Sequence, residues 1–196
     1  ISPYLTSRGK PGTTGFSPWG GFMRVRVWII LTGWLLLVST TGYAGEEDVL
    51  YSRAIQAARS GRIDFAFMYY NQLDRDYPRS RYREQVLLAR GEYFYELPAY
   101  IQAKEAFEKL LEEYPQSPGK LFILAYLYKI AEADGKTDLI ENLKKEILTF
   151  RQVGLVFEET KEYKYPSPFY RNFRAVFYID KVEFYRGGEL FATVSQ

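Results

Sequence analysis

The chain contains no cysteine and no histidine among its 196 residues. That excludes disulfides, thiol nucleophiles, imidazole bases and every zinc site built on Cys or His. The fold must be held by packing alone, and a body of roughly 150 residues is long enough to bury a core without staples. An excess of one charge is missing as well. Four of the 26 basic residues (Arg8, Lys10, Arg24 and Arg26) lie in residues 1–44, which hold no acidic residue. The remainder has 22 basic against 24 acidic groups. A near-neutral body has no long-range attraction for nucleic acid, so that partner is set aside. No glycine-rich loop leads into Lys followed by Ser or Thr: Gly9-Lys10 stands in the front end, and Gly119-Lys120-Leu121 lacks the hydroxyl. No cofactor and no metal are expected.

A long hydrophobic run is also lacking. The longest, Val27 to Val38, has 12 residues, where a bilayer-spanning helix needs about 20. Met23-Arg24-Val25-Arg26 precedes it, and Gly42 and Ala44 follow as small residues two apart. This is the pattern of a secretory signal over 23–44, cut after Ala44. The expected location is periplasmic or secreted, with membrane attachment only if the segment is retained. No cysteine follows the run, so no lipid can be attached there. Residues 1–22, rich in Gly, Pro, Ser and Thr and without an initiator Met, are read as a leader outside the fold.

What the chain does have is an internal echo. Ala66, Tyr70, Leu73, Tyr77, Pro78 and Ser80 are answered by Ala103, Phe107, Leu110, Tyr114, Pro115 and Ser117, each 37 positions later. Leu50 with Leu87 and Arg53 with Arg90 keep the same interval. A fixed period of this size marks an array whose units cannot bury their apolar faces alone. Helical spacing of apolar residues predicts six helices between Glu46 and Phe150: up to Arg59, then 63–76, 81–96, 99–114, 119–133 and 137–150. Ser60-Gly61 and Asp134-Gly135 break the pattern, and Pro78, Pro98 and Pro115 stop helices. Ser80 is expected to cap the third helix, and Ser117-Pro118 to supply the N-cap and first position of the fifth.

Two helices per unit, a small residue, an aromatic four later and then a proline resemble the tetratricopeptide repeat. The carriers are Ala66, Tyr70 and Pro78 in one unit and Ala103, Phe107 and Pro115 in the next, with Gly91-x2-Phe94 matching the first helix. The period is 37 rather than 34, no Trp stands in the first helix, and Ile140 and Lys144 replace the alanine and aromatic of the third unit. The lengthened YP-x-S ending is similar to the repeats of BamD-like and CpoB-like cell-envelope proteins, although BamD-like proteins carry a lipid-bearing Cys that is absent here. The resemblance implies an α-solenoid of about three hairpins over 46–150. It also implies that the first helix of each hairpin lines a concave face. By position, Tyr51, Ile55, Arg59, Leu88, Glu92, Tyr95, Phe122 and Lys129 would face that groove. An amphipathic stripe is core by default, which competes with this assignment for the apolar members.

After Phe150 the texture changes: residues 150–196 include 12 Phe or Tyr. Val182 to Arg186, Gly187-Gly188 and Glu189 to Val194 predict a hairpin with a two-residue turn, in which Phe184 faces Phe191 and Tyr185 faces Leu190. Arg174 to Ile179 is a candidate third strand. The stretch 151–168 is expected to be a linker, with Tyr165-Pro166-Ser167-Pro168 at its end, and 169–196 a hairpin or small sheet. KVEFYRGGELFATV is similar to a strand pair of bacterial immunoglobulin-like domains, but a whole sandwich needs about seven strands. Either the sequence stops short of one, or the strands cap the last helices.

Adjacent carboxylates occur at Glu112-Glu113 and Glu158-Glu159, and neighbours on a helix point in different directions. No constellation for catalysis is found, and the chain is expected not to be an enzyme. The expected function is an extracytoplasmic scaffold for a protein or peptide ligand, with the oligomeric state open. A subunit of an envelope-assembly complex is one alternative. A glycan-binding or enzymatic module using the aromatic tail is the other.

Overall fold

The computed structural model describes residues 45–154, 161–170 and 172–196. The leader and the signal segment lie outside these residues. Six helices come first: α1 Glu46–Arg59, α2 Ile63–Asp76, α3 Arg83–Glu96, α4 Tyr100–Glu113, α5 Lys120–Asp134 and α6 Thr137–Gly154. A sheet follows, made of β1 Lys161–Tyr165, β2 Phe173–Phe177, β3 Lys181–Arg186 and β4 Glu189–Ser195. Among the described residues no helix is long and apolar enough to cross a membrane.

Local chemistry sets the boundaries. The first turn of α1 carries Glu46, Glu47 and Asp48 at the partially positive helix end, and the Gly45 N–H donates to the Asp48 carboxylate at 3.2 Å. The helix stops at Gly61, whose φ of 74° suits a residue without Cβ. The N–H groups of Gly61 and Arg62 close back onto the carbonyls of Ala58 and Ala57. The two serines do not cap helices as expected. The Tyr82 N–H donates to Ser80 Oγ at 3.2 Å and the Gly119 N–H to Ser117 Oγ at 3.0 Å. Each serine thus closes a hydroxyl turn ahead of the helix. The Ser80 and Ser117 carbonyls then accept from the Arg83 and Lys120 N–H groups, so α3 and α5 start three residues after the serine and Pro118 lies in the turn.

The helices pack as three consecutive hairpins, α1 with α2, α3 with α4 and α5 with α6, consistent with a helical repeat. The echoed residues form the contacts between partners. Ala66, Tyr70, Ala103 and Phe107 are fully buried. A Cβ on Gly91 would meet the Phe107 ring at 2.3 Å, so that ring lies flat on the α3 backbone. One period earlier Ala54 and Tyr70 occupy the same positions, both inaccessible to solvent. Pro78 is exposed between hairpins, as its role of stopping α2 requires. Helix α5 is buried at ten positions and has no polar face. A helix that is apolar all round needs cover on every side, and here α6 and the sheet supply it together.

The sheet is antiparallel throughout, in the order β1-β2-β3-β4. Phe173, Ala175, Phe177, Val182, Phe184, Ala192 and Val194 alternate onto one buried face. Two expectations are corrected here. Residues 151–168 are not a linker throughout: α6 runs on to Gly154, and Lys161–Tyr165 is a strand paired with Phe173–Phe177. The prolines end that strand rather than prevent it, and its charged side chains suit an exposed edge. The hairpin register also differs. Tyr185 pairs with Leu190 as expected, but Phe184 pairs with Ala192 because a bulge falls between Phe184 and Tyr185. An extra residue in one strand re-aims a side chain, and the freed Phe191 ring meets Tyr95, Tyr126 and Phe173 at 5.1–5.7 Å between centroids.

Candidate functional site

Helices α1, α3 and α5 present one continuous face, and the C-terminal segment occupies most of it. On α5, Phe122 lies under the rings of Phe173 at 4.5 Å and Tyr165 at 5.5 Å. On α3, Tyr95 meets Phe191, while Leu88 and Glu92 are buried. Of the residues placed on the concave face by resemblance, Tyr95 and Phe122 therefore lie against the chain's own sheet, Glu92 lies behind the segment Ser167–Phe169, and Leu88 is in the core. Leu88, Glu92 and Phe122 have 2%, 0% and 1% exposure, which removes them as surface contacts in this structure. The cause is apolar complementarity: the α3–α5 stripe is aromatic, and so is the inner face of the sheet. Lys129 is half-buried and pairs with Glu132 on its own helix at 2.7 Å.

The remaining three, Tyr51, Ile55 and Arg59, border an open cavity of about 420 Å³. Ala58 and Gln85 complete its helical side, and Pro166, Ser167, Pro168 and Phe169 form the opposite wall. Tyr51 is stacked on Tyr82 at 3.8 Å, and the Tyr82 hydroxyl donates to Asp48 at 2.8 Å, which fixes both rings. Behind the cavity Tyr70 stands edge-on to Tyr51 at 6.3 Å and to Phe169 at 5.9 Å. The Pro166–Phe169 wall is a short strap between β1 and β2. It closes on itself: the Ser167 N–H donates to the Tyr170 carbonyl at 2.9 Å, and the Tyr170 N–H to Ser167 Oγ at 2.8 Å.

The polar groups under this strap are incompletely paired. Tyr70 Oη and Gln85 Oε1 are buried without a hydrogen-bond partner. Burial pushes the Tyr70 hydroxyl well above its ordinary range, and the charges of Tyr51 and Glu92 add to this. Burial likewise pushes the Glu92 carboxyl up to about 8. Ser167 and the Phe169 N–H face that carboxyl and oppose the rise, as do Arg186 and the Tyr126 hydroxyl, which donates to Oε1 at 3.3 Å. Arg186 of β3 is enclosed by Tyr170 at 4.6 Å and Phe191 at 4.9 Å, with Glu96 as its ion partner. These contacts join the sheet to α3 and α5.

An unpaired buried hydroxyl costs about 1–3 kcal/mol. Phe107 holds the position of Tyr70 one period later without that cost. Replacing Tyr70 by Phe is therefore expected to stabilise the fold by about 1 kcal/mol, read as a higher midpoint in urea unfolding with an unchanged slope. A lower midpoint would show that the hydroxyl is satisfied.

Gln85 and the strap were not singled out from the sequence. Gln85 stands 37 residues before Phe122, so the repeat interval carried a signal for it; the strap residues carried none beyond their prolines. A second cavity of about 540 Å³ lies beside Ser117, Pro118, Leu121, Phe150, Tyr163 and Phe177. It is mainly apolar and holds no acid–base pair. Among the described residues no cluster of carboxylates is arranged to hold a metal ion. The Glu92 carboxyl is sealed behind the strap rather than presented to either cavity. The arrangement suits non-covalent contact with an apolar or aromatic group.

Comparison with protein-family models finds no match. Comparison with curated proteins also finds none.

Proposed function

We propose that the hairpins are tetratricopeptide-type repeats, and that the chain is a non-catalytic scaffold that binds a protein or peptide segment outside the cytoplasm. One observation carries this reading: the face of α1 and α3 remains open at Tyr51, Ile55 and Arg59 where the rest of the helical face is covered. The aromatic rings there are held in place by packing, which lowers the ordering cost of binding. The repeated Ser80 and Ser117 turns support the kinship with BamD-like and CpoB-like envelope repeats, and the signal-like residues 23–44 support export. The aromatic rings of the C-terminal segment are largely used within the core, so nothing specific favours a glycan site.

The test is capture from envelope extract by the wild-type chain and by a Tyr51→Ala/Arg59→Ala variant that retains its helical circular dichroism. A partner held by the wild type and lost by the variant is the expected result. Equal retention would refute the assignment of the face. The chain recovered from the envelope fraction is expected to begin at Gly45, and recovery in the cytoplasm with residues 23–44 intact would refute export.

A further inference from the structure

The cavity beside α1 is bounded on both sides by fixed groups. Tyr51 is held by its stack on Tyr82 at 3.8 Å. The strap opposite is held by Ser167 and the Phe169 N–H, which bond to the Glu92 carboxyl, and by the Phe169 ring edge-on to Tyr70 at 5.9 Å. The space between these walls is about 420 Å³, within the roughly 300–1,000 Å³ of small-ligand pockets. Its lining is apolar or neutral with one exception. Among the described residues Arg59 is the only charged group at the cavity; it is exposed, and no carboxylate pairs with it. Asp48, the α1 carboxylate closest to it in sequence, is taken by Tyr82 and Arg81, and Glu92 is fully buried. The Arg59 charge acts inside the cavity nonetheless. Burial raises the Tyr51 and Tyr70 hydroxyls above their ordinary range, and Arg59 opposes the rise at both.

Position along the helix adds a spacing. Tyr51 and Arg59 are eight residues apart on α1, about 12 Å at 1.5 Å per residue. Four residues of extended chain cover about 13 Å and bring the side chains at both ends to one face. We propose that the cavity takes an extended acidic segment of a protein partner, with an aromatic side chain between Tyr51 and Phe169 and a carboxylate four residues away on Arg59. This rests on the scaffold reading above and assigns that scaffold its class of ligand. Charge complementarity selects the carboxylate, and the ring-bearing walls select the aromatic over a purely charged peptide. The strap stays in place as one wall, so the seat needs no rearrangement to form.

The probe is an end-blocked, fluorescently labelled peptide, Glu-Ser-Thr-Ser-Phe-Ser-Thr-Ser-Glu, which sets a carboxylate four residues from the ring in either chain direction. It is titrated by anisotropy into the full chain. Arg59→Gln, at an exposed position, is expected to weaken binding about threefold to fivefold, and Arg59→Lys to restore most of it. A peptide with Gln in place of both Glu residues is expected to bind wild type and Arg59→Gln equally. Ala in place of Phe is expected to cost about tenfold or more. No saturable binding to wild type overturns the proposal, as does a loss from the Glu-to-Gln change that is the same on wild type and Arg59→Gln. Displacement by phenylpropionate at the peptide's own concentration would make a small aromatic acid the occupant, and overturns it too. A partner captured through Tyr51 and Arg59 that lacks such an acidic, aromatic segment also overturns it while leaving the scaffold reading intact.

Discussion

Replacing Gly91 by Ala is expected to destabilise the chain by about 2–3 kcal/mol, although alanine is the better helix former by about 1 kcal/mol. The added methyl would lie 2.3 Å from one carbon of the Phe107 ring and 2.5 and 2.7 Å from two others. Phe107 is fully buried, stacks on Tyr126 at 4.9 Å, and has no free space to move into. Either α3 and α4 separate or the ring leaves its rotamer, and both disturb the packing within the second hairpin and the stack of Phe107 on Tyr126 of α5. The midpoint of thermal unfolding should fall by roughly 5–10 °C for a domain of this size. Phe107→Leu added to Gly91→Ala should recover part of the loss, giving a coupling of about 1 kcal/mol or more. Strict additivity in that double-mutant cycle would show that the close approach does not exist in solution.

Raising the pH from 5 to 8 is expected to destabilise the wild-type chain by about 2–4 kcal/mol, and Glu92→Gln to remove most of that slope. Burial raises the folded-state pKa of Glu92 to about 8 from an ordinary 4.5. Between those values the folded chain keeps a proton that the unfolded chain has released. Stability is therefore complete below about 4.5 and falls by about 1.4 kcal/mol per unit as pH rises. Above about 8 both states are ionised and the loss is complete. Glu113 acts in the opposite sense, since the bond from Arg83 holds its carboxyl below the usual range; its contribution is lost only at acid pH. Urea unfolding of both chains across pH 5–9 measures the slope. A flat profile for wild type would mean that water or an ion reaches the carboxyl.

The helical half was legible because its signals are local. Prolines, glycines and the 37-residue echo placed six helices within a few residues of their ends. The misplaced starts of α3 and α5 came from reading Ser80 and Ser117 as caps, when the three added residues of the period make a further turn. The C-terminal half was legible only where a tight turn marked it, at Gly187-Gly188. Strand β1 was missed because three of its five residues, Lys161, Glu162 and Lys164, are charged, and its conformation depends on pairing with β2. The burial of Leu88, Glu92 and Phe122 was hidden for a similar reason. Position in a repeat shows which way Leu88 and Phe122 point, but what lies opposite depends on residues 40 to 100 positions away.

The sheet also changes how the array unfolds. A plain repeat array loses units one by one, since each touches only its neighbours. Here the buried residues divide into two groups, one spanning α3 to α6 together with the sheet and one spanning α1 to α3. Arg186 and Glu96 meet across 90 residues of chain, and such long-range closure slows folding relative to a helical array of the same length. Fraying should therefore begin at α1 and α2, whose loss leaves the larger group whole. The second and third hairpins cannot release without the strands, so the back of the molecule opens as one cooperative block while the front opens on its own.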